Sequence, residues 1–586
     1  MFSTGYLFEH HVFRLEMPVQ PKTVSLKPVS AQDGLFFYEF ACSFEQPTAV
    51  KGIRLGWSEP MLGIVSVWTP MTLRERAVHQ WWAPTRNEAS FYKGAPILAA
   101  VTDGWRSACT AALSDAVTPS CLSFCVNDFA QLEQVDYCAE LLCEERTVQE
   151  YRVTLRIDQR GLPLAESIGD VAAWWETFYP RTLPVDPVCE LPLYSSWYNF
   201  HHQPNAKQLE QELALAAALG FKAAIIDDGW QYEGNGTSDY RDCGNWAVAP
   251  GKFPDFAAFV CKAHDLGIKV MLWFPVPFIG ENTEAYKTFR DCFLYYDTGS
   301  RAGVLDPRRP QVRTHLVQLY REFVQKYGLD GLKLDFIDSF RAVPSSPAFD
   351  AAVMDCATVD EGVTRLLQEI TAALRTVRKD CMIEFRQHYV GPAITGFCNM
   401  LRVLDCAFDS VTNRQCHVDL RMLTRGAAVH SDMLFWAHDE TPRNCARQLA
   451  NILFCVPQIS AMLTSSTPEQ RQVIKAYLDY WQANRTLLLR APLSVQGADG
   501  IYSAVSACDG SKRITALYTD PTAVFDGMAL DVVNGTAQDR LYLDNTSGTD
   551  ARAAVYGIDG TLLTEMTLAA GIHRLEIPSG GRLEVR

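Results

Sequence analysis

Carboxylates and basic side chains stand at the ends of several short apolar segments in the middle of the chain. Residues i and i+2 of a β-strand share a face, so Lys333 and Asp335 would point the same way, as would Glu384 and Arg386. A single such charge is explained by a cap or a buried ion pair, but uncompensated buried charge is expensive, and repeated instances indicate one shared site. The candidate residues are Asp227, Asp228, Lys333, Asp335, Glu384, Arg386, Arg402 and Asp405.

Such a set suits the cleavage of glycosides. That reaction needs two carboxyl groups across a sugar ring, one as nucleophile or base and one as acid. The other carboxylates would accept hydrogen bonds from sugar hydroxyls, and Lys and Arg would donate to them. The apolar walls of a sugar site would come from aromatic rings, for which the candidates are Trp197, Trp230 and Trp273.

Metal binding is the alternative from another class of enzyme. No His-rich set lies near these segments, but Mg²⁺ accepts carboxylates alone, so a metal-dependent barrel hydrolase would use Asp227, Asp228 and Asp335 as ligands. Activity that survives EDTA would eliminate this alternative. A non-catalytic sugar-binding protein is a further alternative, although binding alone needs no acid and nucleophile pair.

The elements that must position these residues are strands that alternate with helices between about 183 and 494. Helical stretches such as Ala206–Leu219, Pro310–Tyr327 and Glu361–Val377 separate them. Eight strands in about 300 residues predict a closed (β/α)8 barrel, in which active-site residues occupy the carboxyl ends of the strands. An open doubly wound sheet is the structural alternative, but no GxGxxG follows any strand. The predicted strands are 191–198, 223–228, 268–274, 331–337, 382–386, 401–405, 428–432 and 456–460.

Short alternating runs bounded by turn residues flank the barrel on both sides. Residues 1–182 therefore predict an N-terminal β-sandwich, and residues 495–586 predict a small C-terminal antiparallel β domain. The pair Trp81-Trp82 is interpreted as core packing, with a reach over the barrel mouth as the alternative.

The chain resembles glycoside hydrolase family 36, the melibiase-like α-galactosidases. The segments that carry the resemblance are Asp227-Asp228-Gly229-Trp230-Gln231, Trp273-Phe274-Pro275, Leu332–Phe336, and Leu401–Cys406 with Asp409. The order of sandwich, barrel and sandwich also matches. The resemblance implies a retaining, exo-acting α-galactosidase that needs no cofactor and acts on oligosaccharides such as melibiose or raffinose by double displacement.

The resemblance also implies roles for the site residues. Asp335 matches the nucleophile, which Lys333 would keep ionised. Asp405 matches the acid/base, whose pKa should be raised by nearby carboxylates and partial burial, with Asp409 as its rival. Asp227 and Asp228 match the acceptors of the O4 and O6 hydroxyls of galactose, and Lys333 would reach O3 or O4. Arg386 and Arg402 would lie at the 2-position, with Glu384 as an additional acceptor.

Several segments depart from the family pattern and indicate a divergent branch. Val276-Pro277 stands where Trp-Phe is often followed by Glu-Pro-Glu, and Phe336-Ile337-Asp338 follows the Lys-x-Asp segment. Glu384–Tyr389 replaces a glycine-rich segment, and Leu404–Asp409 replaces Ser-Asp-Asp-Thr-Asp. An α-N-acetylgalactosaminidase and a raffinose-synthase-like transglycosidase are therefore the alternatives within the family.

Composition limits the remaining classes. With 48% hydrophobic residues the 586-residue chain is globular, and its net charge of −15 argues against a nucleic-acid partner. The N-terminus has no signal-peptide pattern, and no run of about twenty apolar residues predicts a membrane span. Eighteen scattered Cys suggest a reducing cytosol, so the expected location is cytoplasmic. A homo-oligomer is a hypothesis that rests on the family alone.

Overall fold

The structure is a computed structural model that describes residues 1–130, 133–233 and 239–586. Two six-stranded antiparallel sheets pack face to face at the N-terminal end of the chain. Their inward side chains, among them Phe13, Phe40 and Leu155, form a separate apolar core. One sheet contains Phe2–Leu7, Val12–Met17, Ile53–Pro60, Gln134–Leu141, Ser120–Val126 and Thr85–Ala89, and the other contains Thr23–Gln32, Leu35–Val50, Arg146–Asp158, Ser107–Leu113, Ile97–Thr102 and Ile64–Trp68.

The central domain is an eight-stranded parallel sheet that curves into a barrel. Its last two strands meet through parallel bridges between His430 and Val456 and between Leu434 and Ile459. The predicted (β/α)8 fold with flanking β domains is confirmed. The barrel strands are β1 Leu193–Ser195, β2 Ala223–Ile226, β3 Lys269–Pro275, β4 Gly331–Asp335, β5 Met382–Arg386, β6 Met400–Arg402, β7 Ala428–His430 and β8 Gln458–Ile459.

Each barrel strand is followed by a helix that packs outside it. Two of the predicted helices, Ala206–Leu219 and Pro310–Tyr327, have the predicted bounds, because Asn205 caps the first and Pro310 opens the second. The barrel helices are α1 Ala206–Leu219, α2 Phe256–Asp265, α3 Pro310–Tyr327, α4 Val359–Val377, α5 Pro392–Thr395, α6 Ser410–Leu423, α7 Pro442–Asn451 and α8 Pro468–Arg490. Several elements lie outside this repeat. They are the helices Leu164–Trp175, Trp197–Phe200 and Glu284–Phe289 and a small sheet of Phe278–Gly280, Ala302–Leu305 and Phe293–Asp297.

The start of β4 depends on a glycine. A Cβ atom at Gly331 would lie 2.4 Å from the backbone oxygen of Met382 on β5, so only glycine allows the two strands to pair here. The pairing then sets Lys333 beside Glu384. The glycine at the start of β4 therefore fixes the register of Lys333 and Asp335, the charged residues that follow it.

The C-terminal strands form a seven-stranded and a three-stranded sheet with their own small core. The larger sheet contains Leu493–Gln496, Ala504–Cys508, Lys512–Leu517, Ala529–Asn534, Arg582–Val585, Ala551–Tyr556 and Leu562–Leu568, and the smaller contains Thr522–Phe525, Arg540–Asn545 and Gly571–Glu576. The residue boundaries of the three domains remain predictions from the sequence.

All three domains meet at one buried carboxylate on α6. Asp419 accepts a hydrogen bond of 2.8 Å from the indole nitrogen of Trp68 and lies 2.5 Å from the guanidinium of Arg76, both in the N-terminal domain. It also accepts a hydrogen bond from the hydroxyl of Tyr502 in the C-terminal domain. We call this contact the α6 junction. Because Arg76 and Asp419 are almost entirely buried, neither could lose its partner without leaving an isolated charge in the interior.

Two surface properties complete the description. Among the residues described, no helix is long and apolar enough to cross a membrane. The interpretation of Trp81-Trp82 as core packing is wrong, because the two residues are 44% and 62% exposed and Trp81 packs against the exposed ring of Phe129.

Candidate active site

The predicted charged residues come together at the carboxyl ends of β2, β4, β5 and β6. Strand register places Lys333 beside both Trp273 and Glu384, and Arg386 beside Arg402. These side chains point into the barrel, whereas Leu332 and Leu334 on the same strand belong to the apolar core. The alternation of β4 therefore creates a polar face inside the barrel and an apolar face outside it.

Asp335 is a buried carboxylate with three donors around it. The Nε atom of Arg386 lies 2.5 Å from its Oδ1, the indole nitrogen of Trp273 donates to its Oδ2 at 3.0 Å, and the backbone N–H of Phe336 donates at 2.8 Å. Burial alone would raise the pKa of Asp335, but Arg386 and then Lys333 outweigh burial and hold the pKa well below its usual range. Lys333 thus helps to keep Asp335 ionised as predicted, but the direct partner is Arg386.

Replacing Arg386 with glutamine should therefore move the acid limb of the kcat/KM profile upwards by about 1–3 pH units. Asp335 must be ionised to attack, and its pKa rises when the cation beside it is removed. The measurement is kcat/KM for an aryl α-galactoside between pH 3 and 8. Arg321→Gln, on the exposed face of α3, is the matched control and should leave the profile unchanged. An acid limb that stays in place in Arg386→Gln would contradict this role.

Asp227 and Asp228 occupy the turn that follows β2. Lys333 donates to Asp227 at 2.7 Å, and Asp228 lies 2.7 Å from the amide of Gln231 and 3.2 Å from the Nε2 atom of His202. A Cβ atom at Gly229 would lie 2.6 Å from the backbone of His202, and the φ angle there is 104°, so the Asp-Asp-Gly sequence requires its glycine. The turn brings both carboxylates to the barrel end.

Arg402 links the carboxylates on the opposite side of the site. Its Nη1 atom lies 2.7 Å from Asp405 and 2.6 Å from Asp432, and both Arg402 and Asp432 are buried. Asp432 also accepts hydrogen bonds from the hydroxyl of Tyr198 and the backbone of Cys406. Asp405 itself faces outward, with 58% of its side chain exposed. It is therefore the most accessible carboxylate of this group.

The predicted direction of the Asp405 pKa is wrong for the free protein. Burial raises this pKa, but Arg402 and Lys333 outweigh burial, so the pKa lies below its ordinary value. The sequence prediction considered the neighbouring carboxylates and did not anticipate an arginine in direct contact. Arg402 and Lys333 thus keep Asp405 ionised in the free protein.

Glu384 is placed differently from its predicted contact with the sugar. Its side chain has no exposed surface, and Gln458 on β8 donates to it at 2.6 Å. Mainly because of this burial, the pKa of Glu384 rises to about 7. It lies beneath Arg402, whose Nε atom is 3.8 Å away, so it supports the arginine from inside the barrel.

Two further predicted contacts are corrected. Trp230 is fully buried among Trp246, Phe274 and Phe323, outside the barrel, and its indole nitrogen donates to the backbone oxygen of Trp273. Asp409 caps α6 by accepting from the backbone of Thr412 at 3.0 Å, and its other oxygen pairs with Arg74.

The other two predicted aromatic residues lie at the site. Trp273 touches Asp335 through its indole nitrogen and is buried. Trp197, after β1, is half-buried, with its ring edge-on to His201 and His202 at 5.2 and 5.4 Å. Of the three predicted tryptophans, Trp197 alone is partly exposed and could offer a sugar wall.

Sequence reasoning missed several residues that hold the site together. They are Tyr198, His202, Gln231, Asp432 and Gln458. Asp432 ends the predicted strand 428–432, so its position was a usable signal, whereas Gln458 lies in the middle of the predicted strand 456–460.

The described residues do not favour a metal site. They contain no group of three or more His, Cys, Asp and Glu side chains that could hold a metal ion. The three carboxylates of the metal hypothesis instead have protein partners: Lys333 for Asp227, Gln231 and His202 for Asp228, and Arg386 for Asp335.

The barrel and its charged end have the arrangement that the sequence predicted, and comparison with known proteins agrees. Residues 189–381 match the Melibiase family model, so the predicted resemblance to the melibiase-like α-galactosidases is confirmed. Alpha-galactosidase 2 of Pediococcus pentosaceus is 29% identical over 147 residues, which are 24% of this chain and 20% of that protein. Alpha-galactosidase AgaA of Geobacillus stearothermophilus is 24% identical over 160 residues, 26% of this chain and 22% of that protein. The matches thus span about a fifth of these relatives.

Solved structures agree with the fold over a longer stretch. A variant of the family 36 α-galactosidase AgaA from Geobacillus stearothermophilus, in complex with raffinose, superposes with a TM-score of 0.66 at 14% identity, covering 98% of this chain and 82% of that one. TtGalA, an α-galactosidase from Thermus thermophilus, gives a TM-score of 0.54 at 15% identity and covers 86% of this chain and 98% of that one.

Proposed function

We propose that this protein is a retaining, exo-acting α-galactosidase that hydrolyses terminal α-linked galactose from oligosaccharides. The observation that carries the proposal is the contrast between two carboxylates at one barrel end. Asp335 is buried and held ionised by Arg386 and Trp273, whereas Asp405 is exposed and anchored by Arg402. The buried, ionised environment of Asp335 suits a nucleophile, and the exposed environment of Asp405 suits a group that transfers protons.

In the first step, Asp335 attacks the anomeric carbon while the bond to the leaving oxygen breaks. Asp405 gives its proton to that oxygen, and a covalent glycosyl ester forms on Asp335. In the second step, Asp405 takes a proton from water, the water oxygen attacks the same carbon, and the ester bond breaks. Two displacements on opposite faces give a product with the original anomeric configuration.

The low pKa of Asp405 in the free protein suits the second step, in which it acts as a base. For the first step it must carry a proton. A neutral sugar that covers the exposed face of Asp405 removes water from it, which raises its pKa, and Asp335 across the site acts in the same direction. Substrate binding thus prepares the acid.

The remaining site residues would hold the galactose ring. Asp227 and Asp228 are acceptors for the O4 and O6 hydroxyls, and Lys333 is a donor to O3 or O4. Arg386 is the candidate at the 2-position, and Arg402 together with Glu384 would hold Asp405 in place. Support comes from the AgaA structures in complex with raffinose and stachyose, which bind oligosaccharides on the same fold.

The test is a panel of aryl α-glycosides, consisting of the galactoside, the N-acetylgalactosaminide and the glucoside, with the first-formed anomer followed by NMR. We expect turnover of the galactoside with the α-anomer released first. An initial β-anomer would refute the double displacement, and a preference for the N-acetylgalactosaminide would replace galactose as the substrate. A cytoplasmic location and a homo-oligomeric state also remain proposals; the eighteen free thiols support the former.

A further inference from the structure

The turn after Asp405 presents a phenylalanine to solvent. The backbone N–H of Asp409 donates to the oxygen of Cys406 at 2.9 Å, which closes a turn with Phe408 as its third residue. Phe408 has a φ angle of 64°, a conformation that favours glycine, and the residue is 68% exposed. Because the side chain is mostly exposed, burial in a core does not explain this backbone conformation, and such conformations cluster at functional sites.

Both ends of this turn are fixed. The backbone N–H of Cys406 donates to the buried carboxylate of Asp432 at 2.7 Å, and Asp409 caps α6 and pairs with Arg74. Asp405, at the start of the turn, is held by Arg402. The position of Phe408 relative to Asp405 is therefore set by contacts on both sides, of which the one with Asp432 involves a buried carboxylate.

Phe408 belongs to an aromatic cluster at the barrel mouth. Its ring meets that of Phe435 edge-on at 5.2 Å, and Phe435 lies 6.2 Å from the ring of Tyr198. The hydroxyl of Tyr198 donates to Asp432 at 2.9 Å, which ties the cluster to the network around Asp405. These three residues come from the segments after β6, β7 and β1, and we call them the mouth cluster.

We propose that Phe408 and Phe435 form the apolar wall of the leaving-group site. This inference rests on the proposed function, since a proton donor at Asp405 must lie beside the oxygen of the leaving group. The leaving group then extends over the turn that carries Phe408. A ring there takes leaving groups with a flat apolar face, namely an aryl group or the C–H face of a pyranose.

The experiment compares three substrates in Phe408→Gly: 4-nitrophenyl α-galactoside, melibiose and methyl α-galactoside. Glycine removes the ring and suits the positive φ angle, so the turn is kept. We expect kcat/KM to fall about tenfold for the first two and less than twofold for the methyl glycoside. Methyl α-galactoside depends most on protonation by Asp405, so its turnover reports whether the acid is still in place.

Two further variants sharpen the comparison. Phe408→Leu keeps an apolar side chain without a flat face and should lose most of the same preference. Phe178→Ala is the matched control, because Phe178 is 46% exposed and also meets a neighbouring ring edge-on, that of Trp174. Equal losses on all three substrates, or no loss on any, would overturn the inference while leaving the proposed function intact. No turnover by the unmodified protein would overturn the proposed function and this inference with it.

Discussion

Asp335→Ala is expected to reduce turnover of 4-nitrophenyl α-galactoside by about 10⁴–10⁶-fold, because the residual activity of an enzyme without its nucleophile comes from binding and the remaining groups. Asp335 lies on β4, is buried, and has three donors that fix its orientation. The measurement is kcat for the purified variant, with circular dichroism to confirm its fold.

Azide gives this prediction a second, independent readout. The space left by the lost carboxylate admits a small anion, which would attack the anomeric carbon from the same side as Asp335. Added azide should restore turnover and release β-galactosyl azide. Asp338→Ala is the matched control on the same loop and should lose less than tenfold, since Asp338 lies 4.0 Å from Arg386 and is not bonded to Asp335 in the structure. More than a tenth of the activity left in Asp335→Ala would sink the nucleophile assignment.

Asp405→Ala should produce a loss that depends on the leaving group. General acid catalysis contributes about 10²–10⁴-fold, so kcat/KM for melibiose should fall by that factor. For 2,4-dinitrophenyl α-galactoside, whose leaving group needs little protonation, the fall in kcat/KM should be below about tenfold. The basic limb of the kcat profile should also disappear, because that profile describes the enzyme–substrate complex, in which Asp405 carries the proton.

The variant Asp409→Asn tests whether Asp409, rather than Asp405, is the acid/base residue. Asparagine caps a helix as well as aspartate does, so this variant keeps the start of α6 while removing the acid. We expect activity within a few-fold of the unmodified protein on both substrates. A leaving-group-dependent loss in Asp409→Asn, rather than in Asp405→Ala, would transfer the acid role to Asp409.

The barrel was predictable because its strands are apolar and separated by helices with recognisable caps. Residues on β4 and β5 were placed well, since alternation along a strand fixes which side chains share a face. Trp230 was not, because the left-handed Gly229 reverses the chain after Asp228 and sends the next side chain out of the site. The residue that follows such a glycine can point away from the site, although the sequence pattern around it is unchanged.

The electrostatics of the site were less predictable than its residues. Whether Lys333 or Arg386 contacts Asp335 depends on side-chain reach, along β4 for Lys333 and across the β4–β5 pairing for Arg386, and spacing does not define that reach. The same holds for Arg402, which joins Asp405 to Asp432 from the far side of the barrel. Asp432 could be noted at the end of β7, but its partner is visible only once the barrel is closed.

The α6 junction means that the three domains of this chain are not interchangeable modules. A chimera with another first domain would need an indole and a guanidinium where Trp68 and Arg76 now stand, and another last domain would need the hydroxyl of Tyr502. Without them, Asp419 would be an unpaired charge inside the helix that begins at the turn after Asp405. Domain exchange in this architecture is therefore constrained by the position of Asp405, the proposed proton donor.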